Sequence, residues 1–246
     1  MKLIFWDYDG TIVNTEVVYR QSLISFFQSN NLLNKEITKE CFYKYIAGKH
    51  PEEFVSILQK DGYVKDVDIN LNDIKDYYRY YFNHLKYKEI QIVDGLDILI
   101  KKLSEQKNTI MSIVSSSWLI DYNIKSKNAN NKILNNIFDI NKNIYLAGEI
   151  ENCRFKPEPD CYIYAFKDVI DKNNISIQKE DEVFIVEDSI AGCQAGASFK
   201  ALNKDKINIT IIGFLGGTEI DNSKILLSNC ADIIAHNTQE LERIIY

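Results

Sequence analysis

Asp7-Tyr8-Asp9-Gly10-Thr11 follows directly on the apolar run Leu3-Ile4-Phe5-Trp6. Two carboxylates two residues apart thus leave the end of a predicted buried strand toward the same side. Such a pair suits phosphoryl chemistry, in which one carboxylate attacks while the other handles protons. Gly10 lets the backbone turn sharply away and, with Thr11 beside it, leaves room for a phosphate. Two like charges about 5 Å apart repel by roughly 3 kcal/mol at an effective dielectric of about 20. The pair therefore implies a cation, an unequal protonation state, or both. A calcium loop of the helix-loop-helix type is excluded, because Ile12 and Val18 stand where it needs Gly and Glu. Taken alone, the five residues also fit a purely structural Asp-rich turn.

Three later clusters decide between these readings. Ile113-Val114 runs into Ser115-Ser116-Ser117, hydroxyls at a second predicted strand end that can donate to phosphate or cap a helix. In Arg154-Phe155-Lys156-Pro157-Glu158-Pro159, two prolines stiffen the chain so that Lys156 can be held over a site. Val183-Phe184-Ile185-Val186 then delivers Glu187-Asp188-Ser189, a second acid pair ahead of Ala191-Gly192. Carboxylates at two strand ends suit a hard octahedral ion such as Mg²⁺, which takes few protein oxygens. Helix capping explains each acid singly, but not the acid pair, hydroxyl, lysine and acid pair in succession. Four carboxylates and a dianionic phosphate cannot gather around one lysine without a divalent cation.

The elements that must position these groups are legible as short apolar runs. They are Leu3–Trp6, Ile110–Ser115, Ile144–Ala147, Val183–Glu187 and Ile209–Phe214, with a shorter one at Asp232–Ala235. Amphipathic segments separate them, the pattern of a parallel sheet covered on both faces. The expected fold is a doubly wound, Rossmann-like α/β core with an inserted helical cap domain. The core should comprise residues 1–14 and 90–246, and the helical lobe residues 15–89. In the lobe, Ser22, Phe26 and Phe27, then Phe42, Tyr45 and Ile46, then Phe54, Ile57 and Leu58, then Tyr77, Tyr81 and Leu85 recur at helical intervals. The aromatic crowd from Asp76 to Lys88 reads as lobe core, and the Asn/Lys-rich stretch from Lys125 to Asn143 as a solvated helix and loop without catalytic residues.

A chain of 246 residues with 46% hydrophobic content fills one large core and a smaller lobe. A net charge of −6 disfavours nucleic acid and anionic membrane as partners. No run of residues reaches membrane-span length, and Lys2 enters a core strand without an export-type leader. Cys41, Cys153, Cys161, Cys193 and Cys230 lack metal or redox spacing and read as reduced thiols in a cytoplasmic protein. Nothing in the residues fixes an oligomeric state.

Together, Asp7-x-Asp9-Gly10-Thr11, Ser115, Lys156-Pro157-x-Pro159 and Glu187-Asp188-Ser189-x-Ala191-Gly192 resemble the four motifs of the haloacid dehalogenase superfamily of phosphatases. The insertion after the first motif resembles the cap of its phosphoglucomutase-like branch. Asn14-Thr15-Glu16-Val17, Arg154-x-Lys156-Pro157 and Ile190-Ala191-Gly192-x-Gln194-x-Gly196 further resemble bacterial 6-phosphogluconate phosphatases. The resemblance implies that Asp7 attacks phosphorus and that Asp9 protonates the leaving alcohol, then activates water. It implies Mg²⁺ held by Asp7, the Asp9 carbonyl and Asp188, with Glu187 bound directly or one step removed. It implies Ser115, Ser116, Lys156, Gly10 and Thr11 as the phosphate surround.

Asn14 stands where the family commonly has Asp, and is expected to keep the helix cap. Tyr19 stands where its mutases have His, which weakens a mutase assignment and leaves Tyr19 as lobe core or substrate contact. Ala47-Gly48-Lys49-His50-Pro51 resembles the cap specificity loop, with Gly48, Lys49 and His50 as candidate substrate contacts. A lysine there is also compatible with phosphonate hydrolysis through a Schiff base, and the turn with a plain helix connector. The expected activity is a Mg²⁺-dependent phosphomonoesterase acting on a small phosphorylated metabolite. The rivals are a sugar-phosphate mutase and a non-catalytic phosphometabolite-binding regulator.

Overall fold

In the computed structural model, which describes residues 1–85, 90–129, 132–217, 227 and 229–246, six strands form one parallel sheet. They are β1 (Lys2–Trp6), β2 (Thr109–Ser115), β3 (Ile144–Leu146), β4 (Glu182–Glu187), β5 (Asn208–Phe214) and β6 (Ile233–Ala235). All six expected runs are strands, with ends shifted by at most a residue; Ala147 opens a short 3₁₀ turn instead of closing β3. The order β3-β2-β1-β4-β5-β6 puts β1 at the centre, where the connections part to left and right. The crevice outside the carboxyl ends of β1 and β4 is the place such a sheet offers a ligand.

Alternation along the strands serves two separate cores. Ile4 and Trp6 face one side with Met111, Phe184 and Val186, covered by α5 (Leu96–Ser104) and α10 (Thr238–Ile245). Leu3 and Phe5 face the other with Val183 and Ile185, covered by α8 (Asp160–Asn173) and α9 (Ile190–Asn203). Burial on both faces is why the strands read as unbroken apolar runs.

Between β1 and α5 lie α1 (Glu16–Ser29), α2 (Lys39–Tyr45), α3 (Pro51–Lys60) and α4 (Leu71–Tyr80), which runs on into a π turn at Tyr81–Leu85. Leu23, Phe27, Phe42, Phe54, Leu58 and Ile74 from these helices form a third apolar cluster of their own. The aromatic crowd departs from expectation. Tyr81 and Phe82 are buried against the sheet-side core with Ile4 and Trp6, not in the lobe cluster, and Tyr77 packs on both. Helical spacing gives burial; it does not give the partner. Residues 86–89, where the expected lobe ends, lie outside the described residues.

The segment from Lys125 to Asn143 also differs from expectation. It belongs to α6 (Leu119–Ala129) and α7 (Lys132–Ile137), residues 130 and 131 lying outside the described residues. Leu134 and Phe138 are buried in the main core, and Lys125 is only 3% exposed. The Asn143 amide donates to the Met111 and Ile137 carbonyls at 3.1 and 3.0 Å, closing the loop onto β2. High Asn and Lys content masked an inward stripe of Tyr122, Lys125 and Ala129 spaced as one helix face.

Candidate active site

Strand register brings the separate motifs together. Trp6 lies level with Ile113 of β2 and Val186 of β4, so Asp7 emerges beside the ends of both neighbours. The Asp7 amide donates to the Val186 carbonyl at 3.0 Å, which carries the β1–β4 pairing up to the carboxylate itself. Ser115 ends β2 and Glu187 ends β4. Beyond them opens a cavity of about 160 Å³, walled on one side by Asp7, Ser115, Lys156 and Asp188. Its other wall is Glu16, Tyr19, Lys49, His50, Lys75 and Tyr78 from the helical segment.

Lys156 is 5% exposed, and its ammonium donates to Asp7 Oδ1 at 2.6 Å and the Val114 carbonyl at 2.8 Å. It also lies 2.6 Å from Glu187 Oε1, which accepts from the Tyr162 hydroxyl as well. Burial pulls this ammonium down, but the Asp7 and Glu187 carboxylates more than reverse that and hold it above the usual lysine range. Burial, then Glu187, push the Asp7 carboxyl up to about 7, against the pull of Lys156. Burial followed by Glu16, Asp7 and Glu187 raises Asp188 well above the carboxylate range. The acids here outnumber their cation.

Asp7, Glu187 and Asp188 are all buried and offer oxygens within 4.8 Å of one another, a hard donor set that fits a divalent ion such as Mg²⁺. The two later acids are not equivalent. Asp188 lines the cavity and accepts from the buried Thr11 hydroxyl at 3.3 Å. Glu187 is fully buried behind it: Oε1 is taken by Lys156 and Tyr162, while Oε2 has no polar partner among the described residues and is packed on Gly192. A side chain at Gly192 would overlap that carboxylate, and a Cβ at Gly10, where φ is +79°, would overlap Asp188.

Gly10 and Thr11 stand behind the acids and do not line the cavity. The Gly10 amide donates to the Val13 carbonyl at 2.8 Å and the Thr11 hydroxyl is spent on Asp188, so these groups are turned from a phosphate. Ser115 and Ser116 do line it, Ser115 Oγ accepting from the Ser117 amide at 3.2 Å and Ser116 Oγ from the Lys156 amide at 3.4 Å.

Asp9 faces the cavity with its side chain 25% exposed. Its Oδ1 accepts from Thr15 Oγ1 at 2.8 Å, and its Oδ2 from Ser117 Oγ at 3.0 Å and from the Lys125 ammonium. Thr15 occupies the cap position of α1 but gives its hydroxyl to Asp9, and the buried Asn14 Oδ1 meets no partner among the described residues. The expected Asn14 cap is thus not made: the Asn14 amide donates to the Gln91 carbonyl at 2.8 Å, beside an isolated bridge between Val13 and Ile92, and the cap position falls to Thr15.

Tyr19 both lines the cavity and packs edge-on against Phe42 and Tyr78, with ring centres 6.0 and 4.9 Å apart. Burial pushes its phenol above the usual range, where it holds its proton. Gly48 has φ +72° and sits where a Cβ would press on Ser189, so the loop packs directly on the fourth motif. Lys49 and His50 are half-buried on the cavity wall, the His50 ring lying 4.1 Å from that of Phe155. Burial lowers His50, favouring the neutral imidazole.

Sequence reasoning missed Lys125, Glu16 and Lys75 as cavity groups and, having named Ser117 only among three hydroxyls, missed its tie to Asp9. The inward stripe of α6 carries the signal for Lys125, and its spacing from the serine triplet, two helical turns, the signal for Ser117. Glu16 is 6% exposed, leaves Oε2 without a partner among the described residues, and is raised to about 8 by burial and then Asp9.

The profile of the haloacid dehalogenase-like hydrolases matches residues 4–201. The chain belongs to that family. It is 22% identical over 200 residues to the 6-phosphogluconate phosphatase of Escherichia coli strain K12, spanning 80% of this chain and 78% of that one. Its fold is similar to that of a hydrolase from Pseudomonas syringae, with TM-score 0.73, 17% identity and 99% and 97% of the two chains covered. It is also similar to CbbY from Rhodobacter sphaeroides in complex with xylulose-(1,5)bisphosphate, with TM-score 0.66, 17% identity and 96% and 93% covered. In this hydrolase, no helix among the described residues is long and apolar enough to cross a membrane.

Proposed function

We propose that this hydrolase is a Mg²⁺-dependent phosphomonoesterase that cleaves a small, sugar-derived phosphate through an aspartyl-phosphate on Asp7. The observation that carries the reading is the placement of Asp7: a strand-end carboxylate at the cavity floor, 2.6 Å from a buried ammonium and beside Asp188. Asp7 Oδ1 is engaged by Lys156, which leaves the other oxygen to attack phosphorus while the P–O bond to the alcohol breaks. Asp9, which also lines the cavity, gives its proton to the departing oxygen and then takes one from the water that cleaves the acyl-phosphate. Lys156, Ser115 and Ser116 offset charge on the phosphoryl oxygens.

Asp7 and Asp188, with the Asp9 carbonyl, would hold Mg²⁺, and Glu187 braces Lys156 and Tyr162 from behind. When bound, the ion supplies positive charge that both lowers the acids' mutual repulsion and draws the phosphate in. Thr11 and Gly10 then serve the reaction by fixing Asp188. The four lobe helices act as the cap over the crevice, the Arg79 guanidinium holding Asp121 of α6 at 2.7 and 3.2 Å. The cavity suits a small ester, and a phosphate donor named for the E. coli relative, together with the bisphosphate bound by CbbY, supports a sugar-phosphate class.

The mutase alternative lacks support at Tyr19, whose proton-holding phenol offers no imidazole-like exchange. The test is inorganic phosphate release from a panel of sugar phosphates with Mg²⁺. Release without any bisphosphate activator is expected. Isomerisation without net release would make the chain a mutase, and a panel with neither would leave a binding regulator.

A further inference from the structure

Lys125 lines the cavity, carries charge, is 3% exposed, and has no part in the chemistry above. A lysine on the inward stripe of α6, beside Tyr122 and Ala129, pays a large desolvation penalty unless its ammonium is matched. Its match is specific. The ammonium donates to Asp9 Oδ2 and, at 2.7 Å, to Ser117 Oγ. Ser117 in turn donates to the same Asp9 oxygen at 3.0 Å, closing a three-membered ring of hydrogen bonds. The opposite oxygen is held by Thr15 Oγ1.

Each of the two acids of the first motif therefore has its own buried ammonium. Lys156 reaches Asp7 from the loop before α8, and Lys125 reaches Asp9 from α6. The two are not interchangeable: Lys156 stands against the attacking group and Lys125 against the proton-handling group. A short side chain such as Asp9 has few rotamers, and hydroxyls alone leave it free to choose among them. A cation fixed by a helix does not.

We infer that Lys125 is a positioning residue, which with Ser117 holds the Asp9 carboxyl in reach of the leaving oxygen; this rests on the phosphomonoesterase reading. It is neither a solvated helix charge nor a phosphate anchor, since its ammonium is directed at Asp9 and Ser117. Its effect must therefore depend on how badly the leaving group needs a proton. An alkoxide needs one to depart, whereas 4-nitrophenolate departs without.

The experiment compares kcat/KM, which reports the step up to alcohol release, for an alkyl sugar phosphate and for 4-nitrophenyl phosphate. In Lys125→Met the alkyl ester is expected to lose about 10²-fold and the aryl ester at most about threefold. Lys125→Arg should recover part of the alkyl loss, and Lys125→Met should add nothing to Asp9→Asn, as coupled residues do not add. Should Lys125→Met not fold, Lys125→Gln carries the same comparison. Equal loss on both esters, a rise in KM alone, or full additivity with Asp9→Asn would overturn the proposal. A wild-type protein active on both esters with an indifferent Lys125→Met overturns it alone. A wild-type protein releasing phosphate from neither overturns the phosphomonoesterase reading and this proposal with it.

Discussion

The cavity's two walls are built on different principles. On the sheet side, Asp7, Asp188 and Lys156 are each at most 7% exposed, and one ammonium ties together residues 149 and 42 positions apart in sequence. On the helical side, Lys49 and His50 are half-buried at a turn, and Lys75, its side chain 31% exposed, holds Glu52 at 2.7 Å. The first wall hangs from the ends of β1, β2 and β4, which are paired in register, with Lys156 added from the loop before α8. The second hangs from α1, α4 and the turn before α3, which have an apolar cluster of their own and meet the sheet's core at Tyr19 and Tyr78. The contrast teaches that the carboxylates and the ammonium at the strand ends are held by burial and register, while Lys49, His50 and Lys75 on the helical wall keep contact with solvent.

The largest effect that would test this division is at Asp7. Asp7→Asn is expected to lose more than about 10⁴-fold in kcat, read as phosphate release, with little change in substrate binding. A variant that altered only KM would erase the distinction between the walls. Next in size is Lys156→Met, which strands Asp7 and Glu187 in the interior. Urea unfolding should register a loss of about 3–5 kcal/mol, whereas an unchanged midpoint would mean the sheet-side wall is not braced by that ammonium.

The pH dependence of stability is a gentler test. Asp7 rises from 3.8 to about 7 on folding and Glu16 from 4.5 to about 8, so between those values the folded chain holds protons that the unfolded chain has lost. The share of stability that these two acids contribute without metal should therefore be full below the lower values and be lost as pH climbs from about 4 to about 8. Added Mg²⁺ should raise the melting temperature and flatten the slope, since a cation offsets the same repulsion. A melting temperature indifferent to both pH and Mg²⁺ would refute the acid crowding. Smallest is Lys49→Ala. A rise in KM of about two- to fivefold, the scale of a half-exposed ion contact, is expected with kcat and melting temperature held. A collapse of kcat would move the helical wall into the reacting machinery.

Much of this arrangement is legible in the residues before any fold is known. The six strands, the four motifs and the helical interruption follow from period and spacing, because a strand buried on both faces must be apolar at every step. Three things were not legible. Lys125 was lost in a stretch whose Asn and Lys content reads as solvated, although the stripe it shares with Tyr122 and Ala129 marks it as inward. Tyr81 and Phe82 declared burial without declaring a partner, and joined the sheet's core. Thr11 and Asn14 carried side chains suited to phosphate and to capping, yet one went to Asp188 and the other to a site without a partner.

The amino-acid sequence by itself determined which groups could do chemistry and the order in which strands deliver them, since side-chain type and apolar period are local properties. Only the tertiary structure decided which ammonium serves which acid, and that Glu187 stands behind Asp188 instead of beside it. Those pairings join residues from β1, α6, the loop before α8 and β4, and distances across a packed sheet depend on register and crossing, which no stretch of chain encodes alone.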